Sequence, residues 1–261
     1  MLKVLSALRL SYLNSLKLTA RRSNFSTECL YDESITKFIS ENTEIVVDHN
    51  LTPEIKLRLF TPNCRFWFER PEFWPFEDPY WAIYWPGGQA LSRYLLDNPG
   101  VSLGKSVLDL GCGCGASAIA AKLCGANRVV ANDIDSVATL ATCMNFKLNG
   151  LESPVCVTDD MIGSDPGNFD LILLGDMFYD EALSYNLHTW LEDCIKTHKS
   201  QVLIGDPGRA QFEELAFQSR LKKLAQFELP KPVREENYGL NCSSVWAALC
   251  KPRHLSGHES F

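Results

Sequence analysis

The chain has 261 residues, of which 46% are hydrophobic and 22% charged. That is ordinary globular composition, and it excludes a wholly disordered or fibrous chain. No run of about 18 apolar residues exists, which excludes a spanning helix, and a net charge of -7 argues against a general nucleic-acid binder, whose affinity rests on basic patches.

The charge is unevenly placed. Residues 1–27 carry Lys3, Arg9, Lys17, Arg21, Arg22 and five serines but no acid, which leaves a net of -12 on the remainder. A basic, serine-bearing, acid-free leader has the composition of a mitochondrial transit peptide; a disordered tail is the alternative. A secretory signal would need an apolar run of about 7–15 residues, and here residues 4–8 are interrupted by Ser6 and stopped by Arg9. The ten cysteines form no C-x-x-C pair, so they suggest reduced core residues rather than a zinc frame or a disulfide scaffold.

Residues 32–42 are predicted as a helix from the spacing of Ile35, Phe38 and Ile39. Ile55, Leu57 and Leu59 alternate with Lys56 and Arg58, the pattern of a strand. Residues 60–85 then hold 11 of the chain's 28 aromatic residues, with prolines at 62, 71, 75 and 79 that prevent a long helix. Such a segment covers a core or walls a ligand pocket, and both readings stand at this point. A helix over 88–97 follows. From residue 105 strands and helices alternate, with strands at 106–110, 128–131, 155–157, 169–174 and 201–204. Helices are predicted at 117–124, 136–148, 182–196 and 211–223, late strands at 225–229 and 243–249, and a loose polar tail at 251–261. This alternation predicts an α/β fold built on a doubly wound sheet.

The glycine-rich run Asp109-Leu110-Gly111-Cys112-Gly113-Cys114-Gly115-Ala116 joins the first of these strands to a helix. Glycines there permit a tight turn and close approach of a ligand to the backbone. Gly111, Gly113 and Ala116 also satisfy the dinucleotide fingerprint, with Asp133 placed where a ribose-binding acid would stand. Asp109 directly before the glycines is awkward beside a pyrophosphate but suits a cationic ligand such as S-adenosylmethionine. Asp133 would then hold the ribose diol, and Asp135 would cap the next helix. Asp159-Asp160, after the third strand, are candidates for reading the adenine amine, or a solvated loop pair.

These residues resemble the seven-β-strand class I methyltransferases and, more narrowly, the family-16 protein lysine methyltransferases. The matching stretches are LTPEIKLRLFTP (51–62), DPYWAIYWPGGQALSRYLLDNP (78–99), KSVLDLGCGCGA (105–116), ANDID (131–135), LGDMFYDE (174–181), VLIGDPGR (202–209) and SSVWA (243–247). Methyltransferases of a large-subunit ribosomal protein share the loop but not the aromatic segment. The resemblance implies a Rossmann-like sheet in the order 3-2-1-4-5-7-6 with strand 7 antiparallel. It divides the chain into a leader (1–27), an extension bearing the aromatic segment (28–100), a methyltransferase core (101–250) and a tail (251–261). It implies S-adenosylmethionine as cofactor, bound by Trp85, Asp109, Gly111, Gly113, Gly115, Asp133, Ile134 and Asp160, and no metal. The implied reaction is methylation of lysines in the electron transfer flavoprotein β subunit, in the mitochondrial matrix, by a monomer without nucleic acid or membrane; chaperones are a further partner class it allows. The family motif D-x-x-Y/F falls on Asp176-Met177-Phe178-Tyr179. There Asp176 would orient the acceptor amine, and Phe178 and Tyr179 would offer ring faces to a methylated ammonium. Packing under the next helix is the alternative for both rings, and a helix cap for Asp176. Asp206 and Arg209 read as loop capping or substrate contact. A small-molecule methyltransferase and a non-catalytic flavoprotein-binding regulator remain open alternatives.

Overall fold

The computed structural model describes residues 33–248 apart from 71, 72, 77, 166, 215–220 and 238. The expected leader and tail lie outside the described residues. A helix, α1 (Glu33–Asn42), precedes an antiparallel pair, β1 (Glu44–Val46) and β2 (Leu57–Leu59). The predicted strand at 55–59 is shortened because Ile55 closes a turn through its N–H to Thr52 O. Helix α2 (Pro86–Asp97) then leads into the sheet.

Strands β3 (Ser106–Leu110), β4 (Arg128–Asn132), β5 (Val155–Val157), β6 (Leu171–Gly175) and β7 (Gln201–Asp206) are parallel, joined to β8 (Leu221–Glu228) and β9 (Cys242–Ala248). Their order is β5-β4-β3-β6-β7-β9-β8, with β9 antiparallel to both neighbours. Counted within the sheet this is 3-2-1-4-5-7-6, as expected. Helices α3 (Ala116–Leu123), α4 (Ser136–Leu148), α5 (Glu181–Asp193), α6 (Ala210–Glu214) and α7 (Lys231–Glu236) lie between these strands among the described residues.

Side chains alternate across a strand, so each strand feeds two cores. Val107, Leu171, Leu173 and Leu203 face the layer of α2 and α3. Leu108, Leu110, Ile172, Leu174 and Ile204 face Leu187, Trp190 and Leu191 of α5. β6 is apolar throughout because it lies between β3 and β7 and is covered on both sides. The aromatic segment divides. Phe60, Phe66, Trp74 and Trp81 are buried with Ala138, Leu140 and Ala141 of α4, whereas Phe68, Phe73 and Tyr80 are exposed. Asn145 ties this region to the glycine loop: its Oδ1 accepts from Arg58 N at 2.8 Å and its Nδ2 donates to Cys114 O at 2.9 Å.

One predicted element changes. Within the expected helix at 211–223, α6 is described only to Glu214 and Leu221 already begins β8. The residues Leu221-Lys222-Lys223-Leu224 have good helical propensity, but pairing with β9 overrides it. The lysines suit the outer strand of a sheet, where charge discourages further pairing. Of the cysteines, Cys64, Cys112, Cys114, Cys124, Cys143 and Cys194 are buried thiols, none in a disulfide.

The approach of α2 to the sheet is close enough to need glycine on both sides. A Cβ on Gly205 would overlap the Gly87 carbonyl, and one on Gly175 would lie 2.9 Å from Gly88 Cα. Gly205→Ala should therefore cost about 1–3 kcal/mol or more through forced separation of α2 from β7. Urea unfolding at matched slope measures it; an unchanged midpoint would contradict the packing account.

Candidate active site

The loop after β3 turns through three glycines in the left-handed region, Gly111 (φ 67), Gly113 (φ 51) and Gly115 (φ 79). A side chain at Gly115 would press on Thr142, whose hydroxyl donates to Gly113 O at 3.0 Å. Cys112 and Cys114 are buried spacers between the glycines. Asp109 is only 2% exposed, and its Oδ2 accepts from Ala118 N at 3.0 Å. It thus satisfies an orphan donor of the first turn of α3 from beneath the loop. Burial pushes its carboxyl up to about 7, against the Ala118 N–H and aided by the charge of Asp133.

Asp133 accepts from Gly113 N at 3.0 Å on one oxygen and from Asp135 N at 3.1 Å on the other. Each oxygen keeps an unused lone pair, so both remain able to accept from a ribose diol. Burial pushes this carboxyl up to about 6. Asp135 caps α4 through Val137 N, as expected. Ile134 is 63% exposed beside Asp133, an apolar surface at the mouth of the site. Asp160 commits one oxygen to its own turn, accepting from Ile162 N at 2.9 Å. The left-handed glycine cradle, the acid with spare acceptor capacity and the adjoining apolar side chain fit S-adenosylmethionine, a ligand with a diol and positive charge.

The second half of the site is built around Asp176, which follows β6 in the left-handed conformation (φ 57) and is 5% exposed. Helix α2 begins with Trp85 as cap and Pro86 as first residue, with no side-chain cap of its own. Its free amides are met instead by Asp176 Oδ2, which accepts from Gly87 N and, at 3.3 Å, from Gly88 N. Oδ1 accepts from Arg209 Nε at 3.0 Å and Nη2 at 2.5 Å. Burial moves the carboxyl above its ordinary range, with Arg209 and the two amides opposing that rise. Its hydrogen-bond partners are all donors, two of them on a guanidinium, an arrangement that favours the carboxylate against that burial.

This geometry corrects the expected role of Asp176. A carboxylate offers about four lone-pair sites, and the four donors from Gly87, Gly88 and Arg209 occupy that capacity. Asp176 therefore locks α2, β6 and the Arg209 loop together and has no spare oxygen for a substrate amine. It does not cap the following helix either; Asp180 does, through Leu183 N. Phe178 is likewise corrected: it is fully buried, 5.2 Å from the Phe212 ring in an edge-on contact, and offers no face to a ligand. Tyr179 is 47% exposed and is the ring of the motif that remains accessible.

Trp85 is half-buried, its Nε1 donating to Tyr80 O at 2.9 Å, with the Arg209 guanidinium 5.8 Å from its ring centre. Asp206 caps its loop, as one of the two sequence readings held, by accepting from Gly208 N and Arg209 N. Its other oxygen is buried without a partner. Burial, with the charge of Asp176, pushes this carboxyl up to about 7. Two features escape the sequence. One is Met177, whose side chain lies where a Cβ on Gly111 would fall. The other is the Arg209–Asp176 pair; its signal was the need of an acid buried at a strand end for a cation.

Sheet order and loop together define a class I S-adenosylmethionine-dependent methyltransferase. The profile of the ribosomal protein L11 methyltransferase (PrmA) family matches residues 89–174. A SAM-dependent methyltransferase structure from Streptococcus mutans is similar in fold, with a TM-score of 0.54 at 14% identity over 79% of this chain and 56% of that one. Closer in sequence are proteins named electron transfer flavoprotein beta subunit lysine methyltransferase. The Danio rerio protein is 66% identical over 85% of this chain and 86% of its own length. The Homo sapiens protein is 54% identical over 82% of each, and a Caenorhabditis elegans homolog is 41% identical over 80% of this chain and 94% of its own. The chain belongs to the electron transfer flavoprotein beta subunit lysine methyltransferase family.

The two acids of the loop can be tested separately. Asp133→Ala should weaken S-adenosylmethionine binding about 10- to 100-fold, the worth of hydrogen bonds to a charged group, and calorimetry at one pH tests it. The ligand-free protein should lose stability as pH rises from about 4 to about 7, because unfolding lets Asp109 ionise at its ordinary value while the fold keeps its proton until about 7. Asp109→Asn should flatten that slope in denaturant titrations across the window; an unaltered slope would place it elsewhere.

Proposed function

We propose that this chain transfers methyl groups to lysine side chains of the electron transfer flavoprotein β subunit. The observation that carries the reading is the Asp176 junction, which ties the start of α2, with the half-buried Trp85 before it, to the turn of the exposed Tyr179, whose near neighbour Met177 lies against Gly111 of the glycine loop. The names of its relatives support the choice of acceptor. The basic, acid-free leader supports import into mitochondria, with the matrix as site of action. The net charge of -12 on the rest of the chain favours a lysine-bearing protein over nucleic acid.

When bound, S-adenosylmethionine supplies an electrophilic methyl group on a sulfonium whose leaving group is a neutral thioether. The protein's work is to present a neutral amine in line with it. A free lysine has a pKa of about 10.4, so little of it is neutral near pH 8. An apolar, aromatic channel disfavours the ammonium by desolvation. The amine proton leaves to water, since no free carboxylate oxygen of Asp176 stands ready to take it. Tyr179 supplies a ring face for the methylated lysine, which leaves each transfer as a cationic ammonium.

The reading is tested by incubating purified chain with labelled S-adenosylmethionine and mitochondrial extract lacking the enzyme, then mapping products by mass spectrometry. One labelled protein bearing methyl-lysine is expected; a labelled metabolite alone, or no transfer, would overturn the proposal. Asp176→Ala should lower kcat by at least about 100-fold through misplacement of the site while cofactor still binds. Normal turnover by that variant would remove Asp176 from the site.

A further inference from the structure

Arg209 has no part in the reaction described so far, yet it is the more exposed member of the ion pair at the junction. Of the ion pair with Asp176, the arginine side chain is 25% exposed and the carboxylate 5%. An incoming lysine therefore meets a guanidinium, with its acid hidden behind it. The pair is fixed from several sides. Asp206, at the end of β7, accepts from Arg209 N at 2.8 Å and so aims the residue. Trp85, ahead of α2, lies under the guanidinium. Gly87 and Gly88 of α2 hold the far oxygen of Asp176. Among the described residues the titratable groups near the pair include Asp206, Glu213, whose N–H donates to Arg209 O at 3.0 Å, and, after Asp176 in the chain, Tyr179 and the helix cap Asp180.

We propose that Arg209 neutralises Asp176 so that the acceptor pocket contains no unpaired carboxylate, and that this presents the substrate lysine as the free amine. The proposal rests on the methyl-transfer reading above. An unpaired carboxylate within about 4–6 Å would stabilise the lysine ammonium and make its proton about 10- to 1,000-fold harder to remove. The ammonium has no lone pair and cannot be methylated, so a bare Asp176 would bind the lysine well and hold it in the unreactive form. Arginine suits this role better than lysine. Its charge persists at every working pH, and its planar fork fills one carboxylate oxygen with two donors. Arg209 is thus a positioning residue that acts through Asp176 on the protonation of the substrate.

The test is the pH dependence of kcat with the flavoprotein β subunit as acceptor, for the wild type, Arg209→Gln, Arg209→Lys and Asp206→Asn. Arg209→Gln should move the rising limb about 1–3 pH units higher. At neutral pH its kcat should fall about tenfold for each pH unit that the limb moves, while its KM for the acceptor stays level or drops. Arg209→Lys, which keeps the charge, should return most of the limb. A limb unmoved in Arg209→Gln would overturn the proposal, and so would a limb that vanishes in Asp206→Asn, since it would then belong to Asp206. If Arg209→Gln does not fold, an Arg209→Lys limb that moves about 1 pH unit or more despite the retained charge counts against it. A wild type with no transfer to this acceptor would sink the flavoprotein reading instead. The ion pair is then read without any acceptor, from a double-mutant cycle of Arg209→Gln and Asp176→Asn in urea. Strong non-additivity supports the proposal and simple additivity overturns it.

Discussion

The site depends on one buried carboxylate. Asp176 stands in a left-handed turn where β6 ends, and two pieces of chain distant in sequence bring their donors to it: the first turn of α2 and the loop after β7. A buried charge is tolerated only when paired and fully hydrogen-bonded. That requirement fixes the relative position of everything it touches. α2 cannot slide without stranding two amides, and the Arg209 loop cannot open without exposing a charge to a dry interior. The same junction explains why glycine occurs at 87, 175 and 205: the backbones must come close for the carboxylate to reach the helix.

The glycine loop and the Asp176 junction do different work. The loop is a surface of backbone, shaped by left-handed glycines and backed by acids that are themselves hydrogen-bonded to the loop or the helix after it. The junction is a surface of side chains, in which charge is cancelled before a ligand arrives. A cationic donor and an amine acceptor make opposite demands. The donor is favoured by nearby negative charge, and the acceptor must be kept from it. Placing the partly open acid Asp133 on one side and the neutralised acid Asp176 on the other meets both demands within one crevice at the carboxyl ends of parallel strands.

Much of this was legible in the sequence, for physical reasons. The apolar run 171–174 between helical segments reads as a doubly covered strand because only such a strand is apolar on both faces. Asp109 and the glycines read as a ligand loop because positive φ and close approach leave little choice of residue. Local pattern failed where the deciding partner was remote. Residues 221–223 carry helical propensity and become strand because β9 pairs with them. Phe178 and Tyr179 are adjacent aromatics with indistinguishable local signals; only the position of Phe212 decides that one is core and the other is surface. Asp176 was found by its place after the fourth strand, but its saturation could not be, since all four of its donors lie more than 30 residues away.

The amide of Asn145 gives the segment before the sheet a second identity. One planar group receives a backbone N–H from Arg58 and gives its own to the carbonyl of Cys114, so the short β1–β2 pair and the glycine loop share a buried strut. Neither end can let go without leaving the other half-paired in an apolar surrounding. The extension is thus coupled mechanically to the floor of the crevice. Amide hydrogen exchange at the loop then reports on the integrity of β2, a strand outside the main sheet.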